Sequence, residues 1–357
     1  MKALSNILVV SEQSQKRREI VTLWRRNRFC LSEPDSATMT AMPLTRRAFC
    51  RTLFVASQTA LVGKLISGPL RADDVPTGAL NFAIIGDWGR QGRPDQRQVA
   101  QQMAIASKKA AVSFVISVGD NFYERGVTSL TDDHWQKSFE TVYDAPSLQV
   151  PWYVVLGNHD YAGKTEPQLD YGKTHPRWII PARYYTQIYP VDAATKLECF
   201  YIDTCPFVAE YQNNPEFSDI PAQNPQRQLE WLDRALAASK ADWKLVFGHH
   251  PVYSSGLAHG NQPEIIEHIL PLLQKYKVQA YIAGHDHDLE HLKVGDLNLI
   301  VSGAGSEHRP VKEPATSPFS RSVSGFTLAS LRRDEMQVRF IDNLGNLLYT
   351  AKVERPA

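Results

Sequence analysis

From Leu80 onward the chain repeats one unit: a short apolar run, rich in β-branched and aromatic residues, that ends in Gly and opens into a polar loop. Residues 81–86, 114–119, 152–157, 245–248 and 280–284 all follow it. Runs that are apolar at consecutive positions predict strands buried on both faces. Between them, residues 96–109, 132–143, 227–239 and 263–276 carry helical patterns. Strands alternating with helices predict an α/β fold, a mostly parallel sheet with helices outside. The last third changes character. Residues 297–301, 326–331, 336–341 and 347–353 follow one another without helices, and Asn343-Leu344-Gly345-Asn346 has the composition of a hairpin turn, so an antiparallel second sheet packed on the first is expected. Residues 310–324, punctuated by Pro310, Pro314 and Pro318, read as an irregular loop.

Composition adds a division that the pattern does not show. The 357 residues are 43% hydrophobic and 22% charged, which excludes collagen-like, low-complexity and disordered classes. The net charge of +1 is an average of two unlike parts: residues 1–72 hold 12 Lys+Arg against 4 Asp+Glu, and the remaining 285 hold 27 against 34, a net −7. An acidic body argues against nucleic acid as a partner. No run of about 18 apolar residues occurs, so no stable membrane insertion is expected. Thr45-Arg46-Arg47-Ala48-Phe49-Cys50-Arg51 precedes a mildly apolar stretch, 52–69, interrupted by Lys64, and then Leu70-Arg71-Ala72 and two aspartates. This is the layout of an export signal, and its order resembles a twin-arginine signal, with Cys50 where Leu is usual. Of the four cysteines, Cys199 and Cys205 read as free thiols, because six strand steps of about 3.3 Å separate them; a turn at Asp203-Thr204 would bring them closer.

The candidate chemistry lies where the apolar runs end. Five of them stop at Gly followed at once by groups that bind metals or phosphate: Asp87; Asp120 to Tyr123; Asn158, His159 and Asp160; His249 and His250; His285, Asp286 and His287. Singly, a Gly-Asp pair after a strand is ordinary turn chemistry. Together they bring, among others, Asp, Asp, Tyr, Asn and three His to the carboxyl edge of a parallel sheet, where such folds place their sites. So many oxygen and nitrogen donors suit two ions better than one, with Asp120 as the natural bridge and His285 and His287 serving neighbouring ions. Tyr123 has two roles open to it, a packed aromatic beside Phe122 or a ligand. A phenol of pKa about 10 loses its proton only to a strong Lewis acid, which favours Fe(III) over Mg or Ca.

Gly86-Asp87-Trp88-Gly89, 119–123, 157–160, Val246-Phe247-Gly248-His249 and 284–287 resemble, in order, the five metal motifs of the purple acid phosphatases in the calcineurin-like metallophosphoesterase superfamily. The likeness, nearest to the small tartrate-resistant mammalian type, runs over residues 79–353 and includes Pro151-Trp152-Tyr153, Arg177-Trp178, 228–232 and Ser302-Gly303-Ala304-Gly305. Relatives outside the purple subgroup usually carry His two residues after the first Asp; here that residue is Gly89, and Tyr123 supplies the missing ligand. The resemblance implies a metallophosphoesterase four-layer α/β/β/α sandwich with two mixed sheets and the site at strand C-terminal ends. It implies that Asp87, Asp120, Tyr123 and His287 hold Fe(III), and that Asp120, Asn158, His249 and His285 hold a second, divalent metal, Fe, Zn or Mn. His159 would bind phosphate and assist the leaving group, with Asp160 beside it. His259 matches a second such histidine, in a loop one residue longer than the mammalian one, and Ser306 replaces an Asn. The implied activity is acid phosphatase, a hydroxide bridging the two metals attacking a phosphate monoester. Phosphodiester hydrolysis at the same centre, or an iron redox protein with incidental phosphatase activity, are the alternatives. Residues 1–41 are then a non-native or disordered extension, 42–72 an export signal to the periplasm or medium, and 73–357 one catalytic domain. The chain is read as a monomer acting on a small phosphoester or a phosphoprotein.

Overall fold

In the computed structural model, residues 68–312 and 317–355 are described; Arg46-Arg47, Cys30 and Cys50 lie outside them. The strands are β1 (Gly68–Pro69), β2 (Leu80–Ile85), β3 (Phe114–Ser117), β4 (Trp152–Val154), β5 (Trp178–Ile179), β6 (Tyr185–Pro190), β7 (Lys196–Tyr201), β8 (Trp243–Phe247), β9 (Ala280–Ala283), β10 (Leu289–Val294), β11 (Leu297–Ser302), β12 (Phe319–Arg321), β13 (Gly325–Leu331), β14 (Glu335–Asp342) and β15 (Asn346–Glu354). They form two sheets, ordered β1-β15-β14-β13-β2-β3-β4-β5 and β12-β10-β11-β9-β8-β7-β6.

Both sheets are mixed. In the first, β2 to β5 run parallel and β13 joins β2 antiparallel. In the second, β7, β8, β9 and β11 run parallel, with β6, β10 and β12 antiparallel to their neighbours. The five apolar runs are therefore divided between the sheets, and the helix-free C-terminal strands extend both of them instead of forming an antiparallel sheet of their own. An apolar run reports that two faces are buried; it does not report which strand lies alongside.

Alternation within the strands builds the layers. Leu197, Cys199 and Tyr201 of β7 join Leu245 and Phe247 of β8 in the core shared with the first sheet, while Phe200 and Val246 point the other way into a second core. Helix α1 (Gln96–Ala110) covers the first sheet with Val99, Met103 and Ala106. After the short helices α2 (Asn158–Tyr161) and α3 (Glu166–Tyr171), α4 (Pro225–Ala238) opens on an Asn224 cap, whose side chain accepts from Arg227 N at 2.9 Å, and buries Leu232 and Leu236 on the second sheet. It is joined there by α5 (Pro263–His268) and α6 (Leu270–Lys275). The helix expected over 263–276 is broken in two because Pro271, inside it, has no N–H to donate. The expected helix 132–143 shrinks to a π-helical turn, Trp135–Glu140, that packs Trp135 and Phe139 into an aromatic cluster with Trp88, Phe122, Trp152 and Trp178. The 310–324 segment is less irregular than expected, since it contains β12 and a bridge from Val311 to Gly256.

Two segments sit at the margins of these elements. Ahead of residue 73, β1 pairs with β15 and Leu70 is buried in the first core. The apolar stretch around Cys199 ends as a strand at Tyr201, and Cys205 begins a 3-10 turn; both thiols are nevertheless free and buried.

Candidate metal centre

Each motif leaves the end of a parallel strand: Asp87 after β2, Asp120 and Tyr123 after β3, Asn158 and His159 after β4, His249 after β8, His285 and His287 after β9. Asp87, Asp120 and His285 hold positive φ of 59°, 50° and 71°. Non-glycine residues in this region cost about 1–3 kcal/mol each and cluster at functional sites. Gly119, at φ 95°, precedes Asp120, and a Cβ there would strike the His249 ring; a Cβ on Gly157 would strike Asp120. These glycines let two sheets bring ligands into one space.

Seven side chains converge in two groups. The Tyr123 hydroxyl lies 2.8 Å from Asp87 Oδ1, 2.7 Å from Asp120 Oδ2 and 3.0 Å from His287 Nε2, with His287 Nε2 3.4 Å from Asp87 Oδ1. On the other side, His249 Nε2 lies 3.1 Å from Asn158 Oδ1, 3.3 Å from His285 Nδ1 and 3.4 Å from Asp120 Oδ1. The two oxygens of Asp120 thus face different groups, the geometry of a bridging carboxylate. Edges near 3 Å are those of donors set about 2.1 Å from a common ion in octahedral coordination. The donor set therefore fits two metals, and it is buried: Asp87 is 0% and Asp120 1% exposed, and neither is paired with Lys or Arg among the described residues.

Hydrogen bonds on the far side of each ring choose the nitrogen offered. His249 Nδ1 donates to Val118 O at 2.9 Å and His159 Nδ1 to Glu124 O at 2.7 Å, so each turns Nε2 towards the centre. The electrostatics are those of a site prepared for cations. Burial, then Asp120 and Asp87, push the Tyr123 phenol well above its ordinary value. Burial would also raise Asp120, but His249 and His159 outweigh it and hold that carboxyl below the usual range. Burial lowers and Asp120 raises His249, which ends at about 9.

Two residues expected in catalytic roles sit differently. His159 is at the rim, its ring 4.3 Å from that of Tyr123 and its Nε2 3.9 Å from Asp120. His259 is exposed on a loop whose N–H groups at His259 and Gly260 donate to Asp286, and its ring stacks 4.0 Å from His285. Asp160, by contrast, does not reach the centre. Its carboxylate accepts from Gly157 N at 2.8 Å, Gln168 Nε2 at 2.9 Å, and both Asn121 N and Nδ2 at 3.0 Å. It braces the loops that carry Asp120 and Asn158. The close approach of Gly89 explains why no histidine stands there: a Cβ would overlap the Asn121 carbonyl, and Gly89 O accepts from Tyr123 N at 2.8 Å.

Other side chains surround the seven donors. His250 lies beside His249 and His285, but its Nδ1 pairs with Thr204 Oγ1 at 2.8 Å and its Nε2 with Tyr211 OH at 3.1 Å, which occupies both nitrogens. Arg90, Glu307 and Arg309 gather beside His287 and Tyr123. Ser306 is buried and donates to Asp87 O at 2.6 Å.

Comparison with known proteins agrees with this geometry. Residues 80–289 match the family model of the calcineurin-like phosphoesterases. The chain is 38% identical over 341 residues to purple acid phosphatase 3 of Arabidopsis thaliana, with 90% of each covered. It is 35% identical over 308 residues to tartrate-resistant acid phosphatase type 5 of Sus scrofa, covering 79% of this chain and 89% of that one. Among solved structures, GAP50, the anchor in the inner membrane complex of Plasmodium, superposes with a TM-score of 0.69 at 28% identity, covering 78% of this chain and 90% of that chain.

Proposed function

The chain belongs to the calcineurin-like phosphoesterases and, within them, to the purple acid phosphatases; it is an acid phosphatase, and we propose that Fe(III) occupies the Tyr123 side of its centre and divalent Fe, Zn or Mn the other. The observation that carries this reading is the division of Asp120, with one oxygen 2.7 Å from Tyr123 OH and the other 3.4 Å from His249 Nε2. Asp87, Asp120, Tyr123 and His287 would hold the first ion, and Asp120, Asn158, His249 and His285 the second. When bound, the ions supply Lewis acidity that makes a nucleophile of water at acidic pH and offsets charge on the phosphoryl group. Fe(III) is favoured because the Tyr123 phenol, buried beside two carboxylates, needs a highly charged cation to release its proton.

The protein's own groups do the rest. His159, fixed through Nδ1, presents Nε2 at the rim of the centre, 3.9 Å from Asp120, and we assign it to phosphate binding. His259 stacks on the His285 ring from an exposed loop, and we assign it to assist the leaving group. Asp160 keeps the β3 and β4 loops in register. The substrate we assign is a small phosphoester or an exposed phosphoprotein side chain, which would meet the partly exposed His159 first. The basic leader, with Arg46-Arg47, is assigned to export by the twin-arginine route, although the described helices include none long and apolar enough to cross a membrane.

The test is metal analysis and a visible spectrum of the purified protein beside rates on p-nitrophenyl phosphate and its bis ester. Two metals per chain, a violet colour lost in Tyr123→Phe, and preference for the monoester are expected. A colourless oxidised protein holding two metals would refute the Fe(III) assignment, and preference for the bis ester would refute the monoesterase assignment. Arg46→Lys with Arg47→Lys should abolish export of a fused reporter; undiminished export would refute the twin-arginine route.

A further inference from the structure

Besides the seven donors, one carboxylate reaches the centre from outside. Glu307 lies just past β11, and its Oε1 is 2.9 Å from His287 Nδ1, 3.1 Å from Arg90 Nη2 and 3.1 Å from Arg309 Nη2. Both arginines are themselves tied to the site. Arg90 donates through Nε to Ser306 Oγ at 3.1 Å, pairs with Glu124, and lies 3.8 Å over the Tyr123 ring. Arg309 N donates to His287 O at 2.7 Å, and its Nη1 donates to His259 Nε2 at 3.2 Å. One oxygen therefore joins the loop after β2, the last metal motif and the His259 loop.

We propose that Glu307 is a positioning residue of the metal centre, which fixes His287 with Nδ1 towards the carboxylate and Nε2 towards Asp87 and Tyr123, and so sets how firmly the ion on that side is held. The inference rests on the two-metal reading above. A neutral imidazole carries one proton, and the partner of one nitrogen decides whether the other has a free lone pair. For His249 that partner is the backbone carbonyl of Val118. His287 has no such carbonyl: its Nδ1 is buried, has no aligned hydrogen-bond acceptor, and meets Glu307 at short range but off the N–H axis. Glu307 is thus the group placed to orient the ring, and a small rotation of the imidazole would align the pair. A carboxylate there also strengthens the ligand as a donor, and removing such a partner typically weakens metal binding by about 10- to 100-fold. The bland alternative is that Glu307 only anchors two arginines at a partly open surface, its side chain being 30% exposed.

Metal release separates these. Wild type, Glu307→Ala and Glu307→Gln are prepared as full-length zinc-and-iron-loaded proteins, and loss of each metal to EDTA is followed by atomic emission, with melting temperature as the control for folding. Glu307→Ala should release iron, on the Tyr123 and His287 side, about 10- to 100-fold faster than wild type, while zinc leaves at the wild-type rate. Glu307→Gln, which keeps an acceptor for Nδ1–H but not the charge, should fall between and decides the matter if the alanine variant does not fold. Iron release within twofold of wild type, or equal acceleration of both metals alongside a lowered melting temperature, would overturn the assignment. A wild type that binds no metal refutes the two-metal reading itself, and this assignment with it; a wild type that binds both while the variants behave as wild type refutes only the role of Glu307.

Discussion

Replacing Asp160 by alanine tests whether that residue braces the site or takes part in the chemistry. The carboxylate is fully buried and accepts from four donors; the backbone donors Gly157 N and Asn121 N have no other acceptor, and Gln168 Nε2 has none either but can turn with its side chain. Asn121 Nδ2 keeps a bond to Val155 O at 2.9 Å, so its loss is partial. Two orphaned backbone donors at about 1–3 kcal/mol each give a destabilisation of about 2–6 kcal/mol. At about 2 °C per kcal/mol for a domain of this size, the melting temperature should fall by about 4–12 °C. Differential scanning calorimetry on the metal-loaded protein measures this, and p-nitrophenyl phosphate turnover at a temperature well below the transition measures the chemistry. Activity should fall with the displacement of Asn158 and Asp120, and metal content should fall with it. The reasoning is refuted if Asp160→Ala melts within 2 °C of wild type, retains both metals and is inactive, for then the carboxylate acts on substrate.

Further outcomes follow from the same structure. Burial pushes the Asp203 carboxyl up to about 6, against Tyr161 and Arg183. The folded chain then keeps a proton that the unfolded chain gives up, and stability falls as pH rises from about 4 to about 6; Asp203→Asn should remove up to about 3 kcal/mol of that slope in urea unfolding. Cys199 and Cys205 should resist iodoacetamide in the native protein and react once it is unfolded, as read by peptide mass mapping; a 199–205 disulfide peptide would contradict the free thiols. Gly89→Ala drives a Cβ into the Asn121 carbonyl and should cost about 3 kcal/mol or more, seen as a lowered melting temperature and loss of metal. Stripping the metals should lower the melting temperature reversibly, by the equivalent of about 2.7 kcal/mol per ion present at 100 times its dissociation constant.

What the sequence discloses follows from which interactions are local. The strand-end motifs are local: a Cβ on Gly119 or Gly157 would strike His249 or Asp120, and each glycine stands next to a ligand in the chain. The pairing of β13 with β2 joins segments more than 200 residues apart and leaves no trace in either pattern, since β2 is apolar whichever strand lies beside it. The apolar period continues across the break at Ile269, and only Pro271 marks it in the sequence. Asp160 follows His159 in a metal motif, yet one step along the short helix α2 its carboxylate meets the Gly157 and Asn121 amides, a contact that adjacency in the chain does not disclose. Glu307 and Arg309 are legible only once Ser302 to Gly305 has brought their loop back against Asp87.

The Asp87, Asp120, Tyr123 and Asn158 donors leave strands of the first sheet, and His249, His285 and His287 leave strands of the second. Each ion would therefore rivet the two sheets together, with 198 residues of chain between Asp87 and His285. Neither sheet alone can complete either coordination set, so a fragment ending before β8 should bind no metal at this centre, and loading becomes a late event that reports on docking of the two halves. Loading is then conditional on that docking: a chain whose seam has not closed should hold neither ion, whatever the supply of metal.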